Sequence, residues 1–396
     1  MVGRKRQSPA TLTPPPLHHT SRLPAPAVNY EFLVAFFAAY PELSANEFFM
    51  SGESYAGVLV PTTALQLHAR TTDANRATAP WSLGGWMVGN ACPGNRVLTC
   101  TPYSGWIGTQ VALDFRFGHG MISEQLYAKI NAACEGQWGT FDAPSKECAE
   151  LLEDPVRPCL NEAGDTYGMG GGYFLYDTCD PDLMALDPAT NRPYAIDGGK
   201  GKAPPSQGQQ QPQRRRQLLA VDGSGGSGSS SSSSSSSSDA GFMPNSGAYA
   251  CGQEKGAQDW LNLEAVRSAI HVKTKAQSGR DFHFSTSLNY SFTAHTLLPQ
   301  YKETLLPNYR VTQFSGDADP CVPYVGTQRW IESLGYDKVD TWHPWRVNGG
   351  VAGYVQTYAI NNFSFVTVRD AGHMAPRYKP QQTMYMFQQF LKNQPL

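Results

Sequence analysis

The chain has 396 residues, enough for one large domain or two ordinary ones. Its apolar share of 40% and charged share of 16% fall below the ~45–50% and ~25% of an average globular domain, and Gly, Pro and a serine run fill the gap, so part of the chain does not pack. A net charge of -2 argues against a general nucleic-acid binder, which needs a basic face, and no stretch approaches the ~18 apolar residues of a membrane span.

Residues 1–27 are predicted disordered, because Pro14, Pro15, Pro16, His18, His19 and Pro24 sit among little that is worth burying. A helix is predicted from Val28, with Phe32, Phe36 and Tyr40, together with Leu33 and Phe37, forming one apolar face, and Pro41 ending it. Glu47-Phe48-Phe49-Met50 reads as a short buried strand, followed by a tight Gly-containing turn and a helix from Tyr55 to Arg70. Leu83 to Val88 is a second strand, closed by Gly89-Asn90. From Ala91 to Asp197 the pattern is mixed, apart from a helix over Ser123 to Cys134 that carries Leu126, Ile130 and Ala133 on one side. Residues from Gly198 to about Ser246 hold a Gln-rich stretch, Arg214-Arg215-Arg216 and an unbroken serine run, and read as a flexible linker. Beyond Trp260 the predicted elements are a strand at Arg310–Phe314, a helix at Thr327–Leu334, strands at Val351–Tyr358 and Phe363–Val368, and a terminal helix at Pro380–Lys392 with Met384, Phe387, Phe390 and Leu391 facing inward. Strands alternating with helices predict an α/β fold with a mainly parallel sheet.

The eight cysteines form no C-x-x-C pair, which leaves zinc and thioredoxin-type patterns weak. Asn-x-Ser sequons at Asn289 and Asn362, taken with the cysteines, tilt toward an oxidising, secretory compartment. Met1 to Arg6 is basic, but Ser8 to Pro26 lacks the apolar core of a signal peptide.

The chemistry concentrates at three places. Ser54 lies in Gly52-Glu53-Ser54-Tyr55-Ala56-Gly57, between a predicted strand and a predicted helix. A nucleophile on such a turn needs small residues two before and two after it, and Gly52 and Ala56 supply them. A hydroxyl nucleophile needs a base, and the base an orienting carboxylate, in the chain order Ser, acid, His. Ser315-Gly316-Asp317-Ala318-Asp319 follows a strand and offers two carboxylates, Asp317 and Asp319, at the rim where open α/β sheets bind ligands. Asp370-Ala371-Gly372-His373-Met374-Ala375-Pro376 follows the next strand and offers His373 in a Gly-containing loop.

With these motifs the chain resembles the serine carboxypeptidases of the peptidase S10 type, a branch of the α/β-hydrolases. The resemblance rests on Phe48 to Gly57, Leu83 to Asn90, His119-Gly120-Met121-Ile122-Ser123, Trp260-Leu261-Asn262, Ser315 to Asp319 and Ala371 to Pro376. It implies an α/β-hydrolase core at 28–91 and 281–396, an inserted cap region at 92–198 and 249–280, and a low-complexity linker at 199–248. It implies Ser54 as nucleophile, Asp319 rather than Asp317 as acid, His373 as base and the Tyr55 backbone N–H as an oxyanion donor. Glu53 is implied to grip the substrate's terminal carboxylate, favouring acidic pH because two facing carboxyls share a proton, and Met374 to line the leaving-residue pocket. The implied substrates are peptide or protein C-termini. No metal, organic cofactor, nucleic acid or membrane partner is implied, and the expected location is the secretory pathway, vacuolar, lysosomal or extracellular.

The resemblance also implies a disulfide across the insert, Cys179 with Cys251. Cys134 with Cys148 is a further candidate pair, Cys92 with Cys100 another candidate, Cys159 is unassigned, and Cys321 is expected as a buried thiol. Arg214-Arg215-Arg216 is either a processing site or part of a tolerated insertion. The family's Gly-Gly-Pro-Gly-Cys segment and several strands ahead of the serine strand have no counterpart in the 53 residues before Ser54. That departure predicts an α/β-hydrolase sheet incomplete at its N-terminus, with an open edge and a weakened oxyanion hole, and impaired activity. Two alternatives stay open at this point: a carboxypeptidase-like acyltransferase and an inactive pseudoenzyme.

Overall fold

The computed structural model describes residues 25–71, 81–94, 96–97, 106–138, 145–153, 173–176, 184–186, 193–195, 258–283 and 295–396. Its organising element is a six-stranded mixed sheet. In chain order its strands are β1 (Glu47–Glu53), β2 (Ser82–Gly89), β3 (Arg310–Gly316), β4 (His343–Val347), β5 (Gly350–Thr357) and β6 (Ser364–Val368). They lie side by side as β1-β2-β3-β6-β5-β4. The first four in that order run parallel, and β5 and β4 add an antiparallel edge.

The pleat explains why both faces are covered. Successive side chains point to opposite sides. Trp86, Val88 and Phe365 join one core cluster, with Val311, Trp330 and Phe363. Met87, Val366 and Val368 join the other, with Trp345, Met386 and Phe390. Helices α2 (Ala56–Thr71) and α6 (Tyr324–Ser333) lie over the first face and α7 (Pro380–Lys392) over the second. Parallel strands covered on both sides read as near-continuous apolar runs, as β2 and β6 do.

Away from the sheet, α3 (Trp106–Gly118), α4 (Glu124–Ala133) and α5 (Lys146–Glu153) form a separate small core around Leu113, Ile122 and Ile130. The Cys134–Cys148 disulfide fastens α4 to α5. Ser123 caps α4 by accepting from the Leu126 N–H. Cys92 is also disulfide-bonded, and Cys321 is a buried thiol. A short antiparallel ribbon pairs 184–186 with 193–195. Cys100, Cys159, Cys179, Cys251, Asn289 and Arg214–Arg216 lie outside the described residues.

Three sequence expectations are corrected. Helix α1 (Ala25–Ala39) buries Tyr30, Leu33 and Phe37 rather than a Phe32–Phe36–Tyr40 face, and Phe32 is 63% exposed. This helix is apolar nearly all round, so periodicity selects no side; the stacking of Phe37 on Trp81 does. The terminal helix α7 has the predicted ends but is rotated. Thr383, Met386 and Phe390 are buried, while Met384, Phe387 and Leu391 are exposed. Two apolar stripes run along it, and the one that meets Phe49 through Phe390 wins. Strand β4 and helix α3 were not predicted. The first is a short edge strand containing Pro344, and the second lies in the stretch without a clear period.

Candidate active site

The turn between β1 and α2 carries Ser54 in the left-handed region, φ 61°. A residue with a Cβ is held there at a cost of about 1–3 kcal/mol only when its surroundings enforce it. Here the Ser54 N–H donates to the Gly89 carbonyl at 2.9 Å, and the Ser54 carbonyl accepts from the N–H groups of Gly57 at 2.9 Å and Cys92 at 3.0 Å. The small neighbours are a packing requirement. A Cβ on Gly52 would stand 2.4 Å from that of Ala56, and one on Gly57 would stand 2.6 Å from the Cys92 nitrogen.

Strands β3 and β6 are adjacent and parallel, so the loops leaving their C-terminal ends meet. The Ala318 N–H donates to the Ala371 carbonyl at 2.9 Å, and the Asp317 N–H to that of Val368 at 3.1 Å. Gly316 permits the approach, since a Cβ there would lie 2.2 Å from the Gly372 carbonyl oxygen. The outcome is a contact of 2.7 Å between His373 Nδ1 and Asp319 Oδ2, both side chains buried. An ionised carboxylate only accepts, so Nδ1 carries the proton and Nε2 keeps a basic lone pair. Asp317 turns elsewhere and accepts from the Asp370 N–H at 2.6 Å. Burial pushes its carboxyl above the usual range.

Asp319 sits in a cradle that sequence reasoning missed. Asn90 donates its Nδ2–H to Asp319 Oδ2 at 2.6 Å, Cys321 N–H donates to Oδ1 at 2.8 Å, and Val322 N–H to Oδ2 at 3.2 Å. Asn90 Oδ1 in turn accepts from the Gly316 N–H at 3.2 Å. Asn90, with φ 43°, is the residue that closes β2. An Asn tolerant of left-handed geometry at the end of a central strand was the available signal.

Two further pieces are tied on from the region between β2 and β3. The His373 N–H donates to the Tyr173 carbonyl at 2.6 Å, and the Leu175 N–H donates to that of Ala318 at 3.0 Å. The Tyr173 ring lies 5.0 Å from the imidazole, centre to centre. Gly372 is obligatory beneath them, because a Cβ there would be 2.3 Å from the Tyr173 carbonyl oxygen. His119, just past α3, sits with Nε2 3.0 Å from the Asp317 carbonyl oxygen and Nδ1 2.7 Å from that of Phe115.

The structure therefore brings Asp319 and His373 into contact and sets Ser54 on the neighbouring turn. The hydrogen bonds of Ser54 run through its backbone, and its hydroxyl is not bonded to the imidazole. Glu53 is half-buried; burial raises its carboxyl above the usual range, with the charge of His373 opposing and that of Asp319 adding to the rise. Tyr55 packs against the first core cluster and opens α2. Met374, half-buried, precedes the short helix Ala375–Tyr378. Asn362 is exposed in the turn before β6, with its Nδ2–H donated to Asn393 Oδ1 at 3.1 Å.

Comparison with known proteins places this arrangement. The family model for serine carboxypeptidase matches residues 20–393. Serine carboxypeptidase-like 21 of Arabidopsis thaliana is 32% identical over 367 residues, which cover 92% of this chain and 68% of that protein. Serine carboxypeptidase 1 of Hordeum vulgare is 27% identical over 389 residues, covering 94% of this chain and 69% of the relative. Among solved structures, KEX1(DELTA)P, a prohormone-processing carboxypeptidase from Saccharomyces cerevisiae, superposes with a TM-score of 0.52 at 17% identity, over 93% of this chain and 66% of the other. The chain thus spans about two thirds of the length of the relatives it matches. The sheet is that of an α/β-hydrolase, and the chain belongs to the serine carboxypeptidase family.

Proposed function

We propose that the protein is a serine carboxypeptidase, cutting the last peptide bond of peptides or proteins through an acyl-enzyme. The observation that carries this is the buried 2.7 Å Asp319–His373 pair at the C-terminal rim of the sheet, beside a serine in left-handed geometry. His373 Nε2 takes the Ser54 hydroxyl proton as Oγ attacks the scissile carbonyl. Asp319 holds the imidazole in the required tautomer and stabilises the imidazolium. The family resemblance assigns the developing oxyanion to the Tyr55 N–H, at the start of α2, and such a donor is worth roughly 10²–10³ in rate. The imidazolium then returns its proton to the leaving amine, and a water deprotonated by the same base hydrolyses the ester. The attack requires a Ser54 Oγ position within hydrogen-bond reach of His373 Nε2, a contact that sites without substrate commonly leave open.

Glu53 supports the exopeptidase choice. Burial holds the Glu53 carboxyl above the usual range, and in its protonated form such a carboxyl donates a hydrogen bond to a terminal carboxylate where an ionised one repels it. Met374 supplies an apolar wall for the departing residue. The sequon at Asn362 and the disulfide chemistry fit a secretory setting.

The deciding experiment is turnover of an N-blocked dipeptide with a free C-terminus against its C-terminal amide, with fluorophosphonate labelling run in parallel. Release of the terminal amino acid from the acid alone, abolished together with labelling by Ser54→Ala, is the expected result. Transfer of the acyl group to an added alcohol in preference to water identifies an acyltransferase. An unlabelled Ser54 identifies an inactive chain.

A further inference from the structure

Helix α3 reaches the acid loop through a side chain that the proposed chemistry does not use. His119, directly after α3, places Nδ1 2.7 Å from the Phe115 carbonyl oxygen and Nε2 3.0 Å from the Asp317 carbonyl oxygen. A carbonyl oxygen only accepts, so each ring nitrogen must carry a proton to bond its partner. A neutral imidazole has a single N–H, and either tautomer leaves one ring lone pair facing a carbonyl lone pair. The doubly protonated ring makes both bonds.

The surroundings suit a cation. Phe115 lies in the last turn of α3, at the negative end of the helix, and its ring supports the imidazole at 4.2 Å, centre to centre. His119 opens onto a cavity of about 470 Å³ shared with Asp317, Asp370, Arg369, Lys379 and Tyr176. Lys379 Nζ donates to Asp370 Oδ2 at 2.5 Å, which leaves Asp317 as the acid that faces the ring. Burial pushes the Asp317 carboxyl up, and the charge of His119 opposes that rise. From α6, the Tyr324 ring packs on Phe115, and burial pushes its phenol up, so it stays uncharged. Helix α3 is itself fastened to α6, where Arg329 Nη2 donates to Asp114 Oδ2 at 2.5 Å. The helix is therefore a fixed post, and the loop that starts at Asp317 is what His119 holds. That loop carries Asp319 to its 2.7 Å contact with His373.

We propose that His119 is a positioning residue that works as a doubly protonated imidazolium, pinning the acid loop to α3 through the Asp317 carbonyl and so holding Asp319 on His373. Loss of one ring proton, which leaves to solvent through the cavity, sets a lone pair against a carbonyl, releases one of the two bonds and loosens the loop. The clamp is therefore complete in acid and half-open once the ring is neutral. The kinetic consequence rests on the function proposed above; the protonation of the ring does not.

The test reads the two separately on the full chain. Nuclear magnetic resonance of the chain with ¹⁵N-labelled histidine reports the protons on each ring nitrogen, and the signals missing from His119→Gln identify the ring; His119→Asn serves if that variant misfolds. The expected result is a ring protonated on both nitrogens at the acid end of the range of about pH 5 to 8, and on one nitrogen at the other end. In the parent, kcat for the blocked dipeptide is expected to fall about fivefold to tenfold with the same midpoint. His119→Gln is expected to run about tenfold below the parent in acid and to lack that falling limb, with KM nearly unchanged. His373 acts in the opposite sense, since a base must be unprotonated to accept, so it shapes the rising limb that both chains share. A His119 ring with a single proton in acid overturns the clamp. A falling limb that survives in the variant, or whose midpoint differs from that of the ring, overturns the positioning role. A doubly protonated ring in a chain that cleaves no peptide leaves the clamp standing and removes the carboxypeptidase assignment instead.

Discussion

The acid–base half of the site and the nucleophile half are built by different physics. Asp319 is fixed by side-chain and loop hydrogen bonds from Asn90, Cys321, Val322 and His373, all in a buried setting. Ser54 is fixed by its backbone, through a left-handed φ and ties to Gly89, Gly57 and Cys92. The first half is a polar network that orients a proton acceptor; the second is a strained turn that leaves its hydroxyl able to rotate. A base must be aimed before substrate arrives, whereas a nucleophile must be exposed and mobile enough to attack. The two halves share the end of β2, where Gly89 accepts from Ser54 and Asn90 donates to Asp319.

Removing the acid should break the first half most completely. Asp319→Asn keeps the shape but no longer holds the correct imidazole tautomer, so turnover is expected to fall about 10⁴-fold while the fold persists. Steady-state kinetics alongside circular dichroism checks this. A loss below tenfold would mean that the pair does not serve the reaction.

Next in size is Gly372→Val, which sets a branched side chain where a Cβ already lies 2.3 Å from the Tyr173 carbonyl oxygen. The loops must part, and a destabilisation of about 3 kcal/mol is expected in urea unfolding. The same substitution at Gly120, whose Cβ would meet nothing within 4 Å, separates crowding from backbone strain, since its φ of 69° is the harder one for a side chain.

Asn90→Ala sharpens the comparison, because Asn90 serves the acid side from the strand next to the serine. One donor to a buried carboxylate is lost, and a tenfold to hundredfold fall in kcat, about 1.5–3 kcal/mol, is expected with KM nearly unchanged. Equal losses in kcat and in melting temperature for Asn90→Asp would show a structural role alone.

The smallest effect belongs to Glu53→Gln and is read through pH. Burial raises the Glu53 carboxyl in the folded protein, so its contribution to stability is fully present below the unfolded value and is lost as pH rises through the folded one. The melting temperature of the variant should therefore fall less than that of the parent between acid and neutral pH. KM for a peptide with a free C-terminus should rise across that window in the parent, by a few-fold, and stay flat in the variant. Parallel KM profiles would remove Glu53 from carboxylate recognition.

The sequence alone determined the parallel sheet and the local setting of each chemical residue. Turn chemistry around Ser54, the strands before Asp319 and His373, and the ends of α7 all follow from short-range rules of size, period and capping. Tertiary structure decided which face of α1 and α7 is buried, because helices apolar on several sides carry no unique stripe and only the partner surface breaks the tie. It also decided between Asp317 and Asp319 as the neighbour of the imidazole, and it recruited Asn90, Tyr173 and Cys321 to that pair. Such contacts join residues tens to hundreds of positions apart, and no local pattern encodes them; adjacent parallel strands bring their loop ends to one rim, and only there does each carboxylate find or lose its partner.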